Sequence, residues 1–381
     1  MIQIKLPVLL TYVFFLVILP GCSSTGPKIP ELQEIANVLV RLQTDWNHPL
    51  GGSTSYSFSM DIQQNEVCSA NSTGELKCLS IENGKSTRIF KLDTPLSGGV
   101  GSSSRYFFVG TTKGSLLAIT KDAGVVKWEG YLNSEILGVP RSYGSKVFVK
   151  TGDGSIFALG VDSGEILWRH ETDQPALILR SNSSVVIDES GDVLVGSANG
   201  RMALIDGTSG TIKWEAVVGQ VSGTNELERM SDIAGDPIID DEKACAVSLN
   251  GNVGCFERKS GNRIWFRTAS SVRSVGVGSS ELVYVDTSGE IIALEKNTGS
   301  SIWTQNGLMK RDISSPLVLN DFVLVGDSEG YVHVMSLVDG AFIGRKFLDE
   351  SGFSAAPLAI REKIIMKSNK GRLFAISLEQ G

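Results

Sequence analysis

Two glycines ten positions apart recur eight times in this chain: Gly74/Gly84, Gly114/Gly124, Gly154/Gly164, Gly200/Gly210, Gly251/Gly261, Gly289/Gly299, Gly330/Gly340 and Gly371/Gly381. In five copies a tryptophan follows the second glycine by four positions: Trp128, Trp168, Trp214, Trp265 and Trp303. The first glycines stand 38 to 51 residues apart, with strand-like sequence between them. A period near forty of this kind marks a propeller or an array.

One repeat shows how the pattern becomes structure. Arg105 to Gly110 is aromatic and β-branched and reads as a strand, Thr111 to Gly114 as a turn, and Ser115 to Thr120 as a second strand. Lys121 to Gly124 turns the chain again, and Val125 to Leu132 is a third strand. The glycines are expected to supply the positive φ that such turns require. A further strand comes first. Pro140, Pro237, Pro316 or Pro357 occupies its start in four copies, an inner position where a missing ladder donor is tolerated. Four antiparallel strands in each of eight repeats predict an all-β, eight-bladed β-propeller. The tryptophans read as wedges between blades, burying large rings on the neighbouring sheet. Arg88 and Gly344 hold the wedge position in copies one and seven. The last repeat lacks a fourth strand, and an open edge is a liability. The segment around Trp46 is therefore expected to close blade eight.

The N-terminus reads differently. Leu6 to Pro20 is an apolar run too short and too early for a good membrane-spanning helix, and it ends at Leu19-Pro20-Gly21-Cys22. This resembles a bacterial lipobox with Cys22 as the lipidated residue; the alternative is a plain secretory signal with a chance cysteine. Ser23, rather than aspartate, implies outer-membrane sorting in lipoproteins of this kind. Several acyl chains on one residue anchor far better than one. The expected organisation is a signal peptide over 1–21, a lipidated tether over 22–45 and the propeller over 46–381.

Cys68 and Cys78 flank Gly74 at the same offsets at which Cys245 and Cys255 flank Gly251. Across a hairpin each pair would be directly opposed, near disulfide distance, and an oxidising compartment would permit both bonds. Side-by-side buried thiols are the other reading. The net charge of −7 argues against nucleic acid as the main partner and against electrostatic adhesion to anionic lipid. His48, His170 and His333 are far apart, and no metal-ligand, nucleophile-elbow or phosphate-loop motif stands in a supporting context. No catalytic residue, metal site or cofactor is expected.

The consensus seen in Gly114-Ser-Leu-Leu-Ala-Ile and Gly289-Glu-Ile-Ile-Ala-Leu resembles the quinoprotein propeller repeat. Enzymes of that family carry pyrroloquinoline quinone and calcium on the axis, commonly with a disulfide between adjacent cysteines, which this chain lacks. A quinone-dependent dehydrogenase is the rival class, and a ligand-sensing propeller a third. Two connections exceed what joining blades requires, from about Glu171 to Ser184 and from about Gly219 to Gly235. They leave consecutive blades on one face and should lie side by side, and such loops tend to carry function. The alternative is tolerated insertion.

With the lipobox and the eight repeats, Asn225-Glu-Leu-Glu-Arg-Met-Ser-Asp232 and Gly326-Asp-Ser-Glu-Gly-Tyr331 resemble the BamB family of outer-membrane assembly lipoproteins. That resemblance implies a non-catalytic scaffold of the β-barrel assembly machinery, anchored in the outer membrane and facing the periplasm. It implies that Leu177, Leu179, Arg180 and Asp232 contact a periplasmic POTRA domain of BamA, beside other lipoproteins of the machinery and unfolded outer-membrane proteins. Two leucines next to an arginine suit a binding hot spot. The family's second acidic position is Ala234 here, which shifts that contact to Asp236 or removes it.

Overall fold

The computed structural model describes residues 29–51, 56, 58–172, 174–181, 183–219 and 224–380. Cys22, the expected signal segment 1–21 and Gly381 lie outside the described residues. Among those described, the chain forms eight four-stranded antiparallel sheets, the blades of a propeller. Blade three is typical: Arg141–Tyr143 innermost, then Lys146–Lys150, Ile156–Gly160 and Ile166–His170 at the outer edge. A cavity of about 490 Å³ lies on the axis, lined by inner-strand residues such as Asp61 and Arg141 and by residues just ahead of inner strands such as Asp236 and Ser274.

The repeat is explained by contact between neighbouring blades. Each tryptophan lies against the second glycine of the next blade and donates its indole N–H to a carbonyl three residues before that glycine. Trp128 packs on Gly164 and bonds Val161 O at 2.8 Å; Trp303 packs on Gly340 and bonds Leu337 O at 2.8 Å. A Cβ on Gly164 would stand 2.5 Å from the Trp128 ring, so this glycine is required by close approach as well as by its φ of +69°. At Arg88 the wedge is divided. Arg88 Nη1 donates to Lys121 O at 3.3 Å, while Phe90, two residues on, packs on Gly124.

The ring closes through strand Val40–Pro49, which pairs antiparallel with Arg372–Gln380 as the outer strand of blade eight. Trp46 takes the wedge role, packing on Gly84 and donating to Ile81 O at 2.8 Å. The strand starts at Val40, ahead of the boundary expected at 46, and within the stretch expected as tether Pro30, Leu32, Gln33 and Leu39 already contact the body. At Gly344 a side chain is excluded, because a Cβ there would meet Val40 O of the closing strand at 2.5 Å.

Cys68 faces Cys78, and Cys245 faces Cys255, across the second and third strands of blades one and five, and the sulfurs of each pair are bonded. The turn glycines hold positive φ with one exception. At Gly251 the left-handed position passes to Asn250, φ +46°, a residue type that tolerates it.

Candidate functional site

The two long connections join blade three to blade four and blade four to blade five, and they meet. The Leu179 N–H donates to Asp232 Oδ2 at 2.5 Å, and the Ser184 N–H to Asp236 Oδ1 at 2.5 Å. Carboxylates of the second connection thus hold the backbone of the first. Asp232 is only 2% exposed, so its carboxylate supports the loop from beneath instead of facing solvent. Ala234 is buried too, and Asp236 points into the axial cavity, away from the loop surface.

Beneath the loops lies Lys150, at the end of the second strand of blade three. Its ammonium donates to Ser183 Oγ at 2.8 Å and to Gly196 O at 2.7 Å. Burial pulls its pKa down to about 8, against the attraction of Asp236 and Asp232. Burial pushes Asp232 up, although the Leu179 N–H and Lys150 favour its anion; its Oδ1 has no protein donor among the described residues. Burial likewise raises Asp236, opposed by Ser184, Arg141 and Lys150.

Arg180 is exposed and oriented. Its Nε and Nη2 bind Glu135 Oε1 and Oε2 at 2.9 and 2.6 Å, and its guanidinium lies 5.1 Å from the Tyr56 ring centre. The hydrogen bonds to Glu135 raise its pKa above the ordinary value. Leu177 stands 40% exposed beside it. A cleft of about 150 Å³ runs between Glu135, Gln174, Leu179, Arg180 and Asp232. A drug-sized ligand needs roughly 300 Å³ or more, so this cleft suits one side chain of a partner.

Four contributors escaped the sequence reading. Glu135 and Tyr56 orient Arg180, Lys150 attracts the anions of the buried acids without pairing to them, and Leu227 stands 69% exposed on the short helix Glu226–Arg229. The helix carried a signal: Asn225 caps Glu228 N–H at 2.9 Å while Glu228 reaches back to Thr224 N–H at 2.7 Å, a capping box. Glu135 and Lys150 carried none, being ordinary residues brought in by topology. The trio Glu66, Cys68 and Cys78 has ligand-like spacing, but its sulfurs are spent in a disulfide. Both disulfides lie within blades, not on the axis.

A family model described as outer membrane protein assembly factor BamB matches residues 60–305. The outer membrane protein assembly factor BamB of Escherichia coli K12 is 32% identical over 378 residues, covering 94% of this chain and 96% of its own. The crystal structure of BamB from Moraxella catarrhalis superposes with a TM-score of 0.81 at 23% identity, over 88% of this chain and 99% of that one. The quinohemoprotein alcohol dehydrogenase of Comamonas testosteroni shares the fold at a TM-score of 0.70 and 12% identity, over 88% of this chain and 76% of that one. At that distance the likeness speaks for the propeller alone.

Proposed function

This chain belongs to the BamB family of outer membrane protein assembly factors, and we propose that it is a non-catalytic scaffold of that assembly, lipid-anchored through Cys22 and facing the periplasm. Its direct partner is a periplasmic POTRA domain of BamA, bound by the paired loops. The observation that carries this reading is the bond from Leu179 N–H to Asp232, which ties the two connections into one surface. On that surface Leu177 supplies apolar area, and Arg180 supplies a charge whose direction Glu135 has already set, lowering the ordering cost of association. Asp232 acts by holding the loop. The outer strands of blades two to six present unpaired edges with exposed Val126, Ile166, Ile212, Ile264 and Ile302, which suit strand addition by unfolded outer-membrane proteins. Other lipoproteins of the machinery complete the set of partners.

The test is calorimetry against the isolated BamA periplasmic domains. Arg180→Ala is expected to weaken binding about thirtyfold, roughly 2 kcal/mol, with the melting temperature unchanged. Wild-type affinity in both Arg180→Ala and Leu177→Ala would place the interface elsewhere.

A further inference from the structure

The described residues just ahead of the closing strand are bound to the body. Arg311, in the connection from blade six to blade seven, donates Nη1 to Asp327 Oδ2 at 2.7 Å and Nη2 to Pro30 O at 3.0 Å. Asp327 is fully buried and also takes a bond from His333 Nε2 at 3.0 Å. His333 Nδ1 accepts from Arg345 Nε at 3.0 Å, and Arg345 Nη1 donates to Gln33 O at 2.8 Å. Four linked side chains of blade seven and the connection before it thus present two arginine forks to two carbonyls of the N-terminal segment. Leu32 packs against the core shared by blades six and seven, and Leu39 N–H donates to Ile343 O at 3.0 Å.

The direction of this segment follows from topology. Interblade connections and second-to-third strand turns share one face of a propeller. Arg311 and Asp327 belong to those two classes, so Pro30 lies on the face that carries the paired loops. Val40 pairs with Gln380 at the far end of the last repeat's third strand, on the opposite face. Residues 30–39 therefore run down the outer edge of blade seven, face to face.

The geometry points to a docked strap that sets how the propeller stands relative to its membrane. This rests on the reading of Cys22 as the lipid anchor. A free tether from Cys22 to Trp46 would reach about 84 Å extended, beyond a body roughly 50 Å across, and would leave orientation open. With Pro30 held by Arg311, the remaining reach from Cys22 is about 28 Å, which keeps the loop-bearing face at blades six and seven turned to the bilayer. The recognised chemistry is a pair of backbone carbonyls beside one leucine, in this chain's own segment.

Two measurements decide it. In lipid-free Cys22→Ser protein, hydrogen exchange of the Leu39 amide, bonded to Ile343 O, is expected to quicken at least tenfold in Arg345→Ala. The same is expected in Leu32→Asp, which alters the strap and leaves the blades intact. Unchanged exchange in both overturns the docking. In lipidated protein on phosphatidylethanolamine–phosphatidylglycerol vesicles with a fluorescent headgroup acceptor, a donor at Glu329→Cys is expected to transfer at least twice as efficiently as one at Val338→Cys, and Leu32→Asp is expected to abolish the difference. Equal transfer from both positions in otherwise unaltered protein overturns the orientation. Protein that fails to bind vesicles at all overturns the lipid anchor, and the orientation with it, while the exchange measurement still reports the docking.

Discussion

Two regions on one face of the ring hold chain that belongs to no blade, with opposite polarity. At blades three and four, buried carboxylates accept from loop N–H groups: Asp232 from Leu179 and Asp236 from Ser184. At blade seven, arginines donate to carbonyls of the strap, Arg311 to Pro30 and Arg345 to Gln33. Compensation differs as well. Burial dominates at Asp232 and Asp236 and raises both. At Asp327 burial also opposes the anion, but the bonds from His333, Tyr331 and Arg311 outweigh it and hold the carboxyl below its usual value. A carboxylate beneath a working loop is left under-compensated, while one that anchors a strap is fully paired.

The largest effect that would break this contrast is expected at blade seven. Asp327→Ala leaves Arg311, with a side chain only 7% exposed, as an unpaired buried cation, at a cost of about 3–5 kcal/mol in urea unfolding. Lys150→Met should cost less, about 2 kcal/mol at neutral pH, because Asp232 and Asp236, already raised, relieve the loss by taking up protons. A Lys150→Met loss equal to that of Asp327→Ala would erase the distinction.

The smallest effect is the sharpest, since it turns on sign. The folded-state pKa of Asp232 is raised, so between its unfolded value of 3.8 and its folded value the native state binds more protons, and stability falls as pH rises through that window. Asp232→Asn should therefore gain relative to wild type from pH 4 to pH 7. Asp327 is depressed: its stabilisation is complete above 3.8 and lost as pH falls through the folded value. Asp327→Asn should lose most relative to wild type at pH 7 and least in acid. Unfolding titrations of Asp232→Asn between pH 4 and 7, and of Asp327→Asn between pH 2 and 5, check this, and slopes of the same sign would refute it.

Much of this architecture was legible in spacing. The ten-residue glycine interval marked the blades because each second glycine must admit a neighbour's tryptophan, a constraint local enough to recur in sequence. Trp46 was legible as the closing wedge by the same logic. The start of the closing strand at Val40 was not, because Val40 to Thr44 pairs only with residues more than 330 positions away, which no local pattern records. At the loops, length marked the two connections, and the family resemblance, with which composition agreed, implied Leu177 and Arg180. Composition could not tell that Asp232 faces inward, because burial there is decided by Lys150 and by a loop crossing over from the previous blade. The division of the blade-one wedge between Arg88 and Phe90 was hidden for another reason: its two jobs, hydrogen bonding and ring packing, moved to different positions.

The strand that seals blade eight has a consequence for biosynthesis. Val40–Pro49 is made more than 320 residues before its partner Arg372–Gln380. Until both are present blade eight is incomplete and the ring is an arc whose end blades expose apolar faces, so closure depends on both strands. A chain that lacks this strand leaves the apolar faces on both sides of blade eight uncovered, which invites proteolysis or aggregation, whereas the closed ring buries them. Length is proofread by geometry, with no dedicated signal in the sequence.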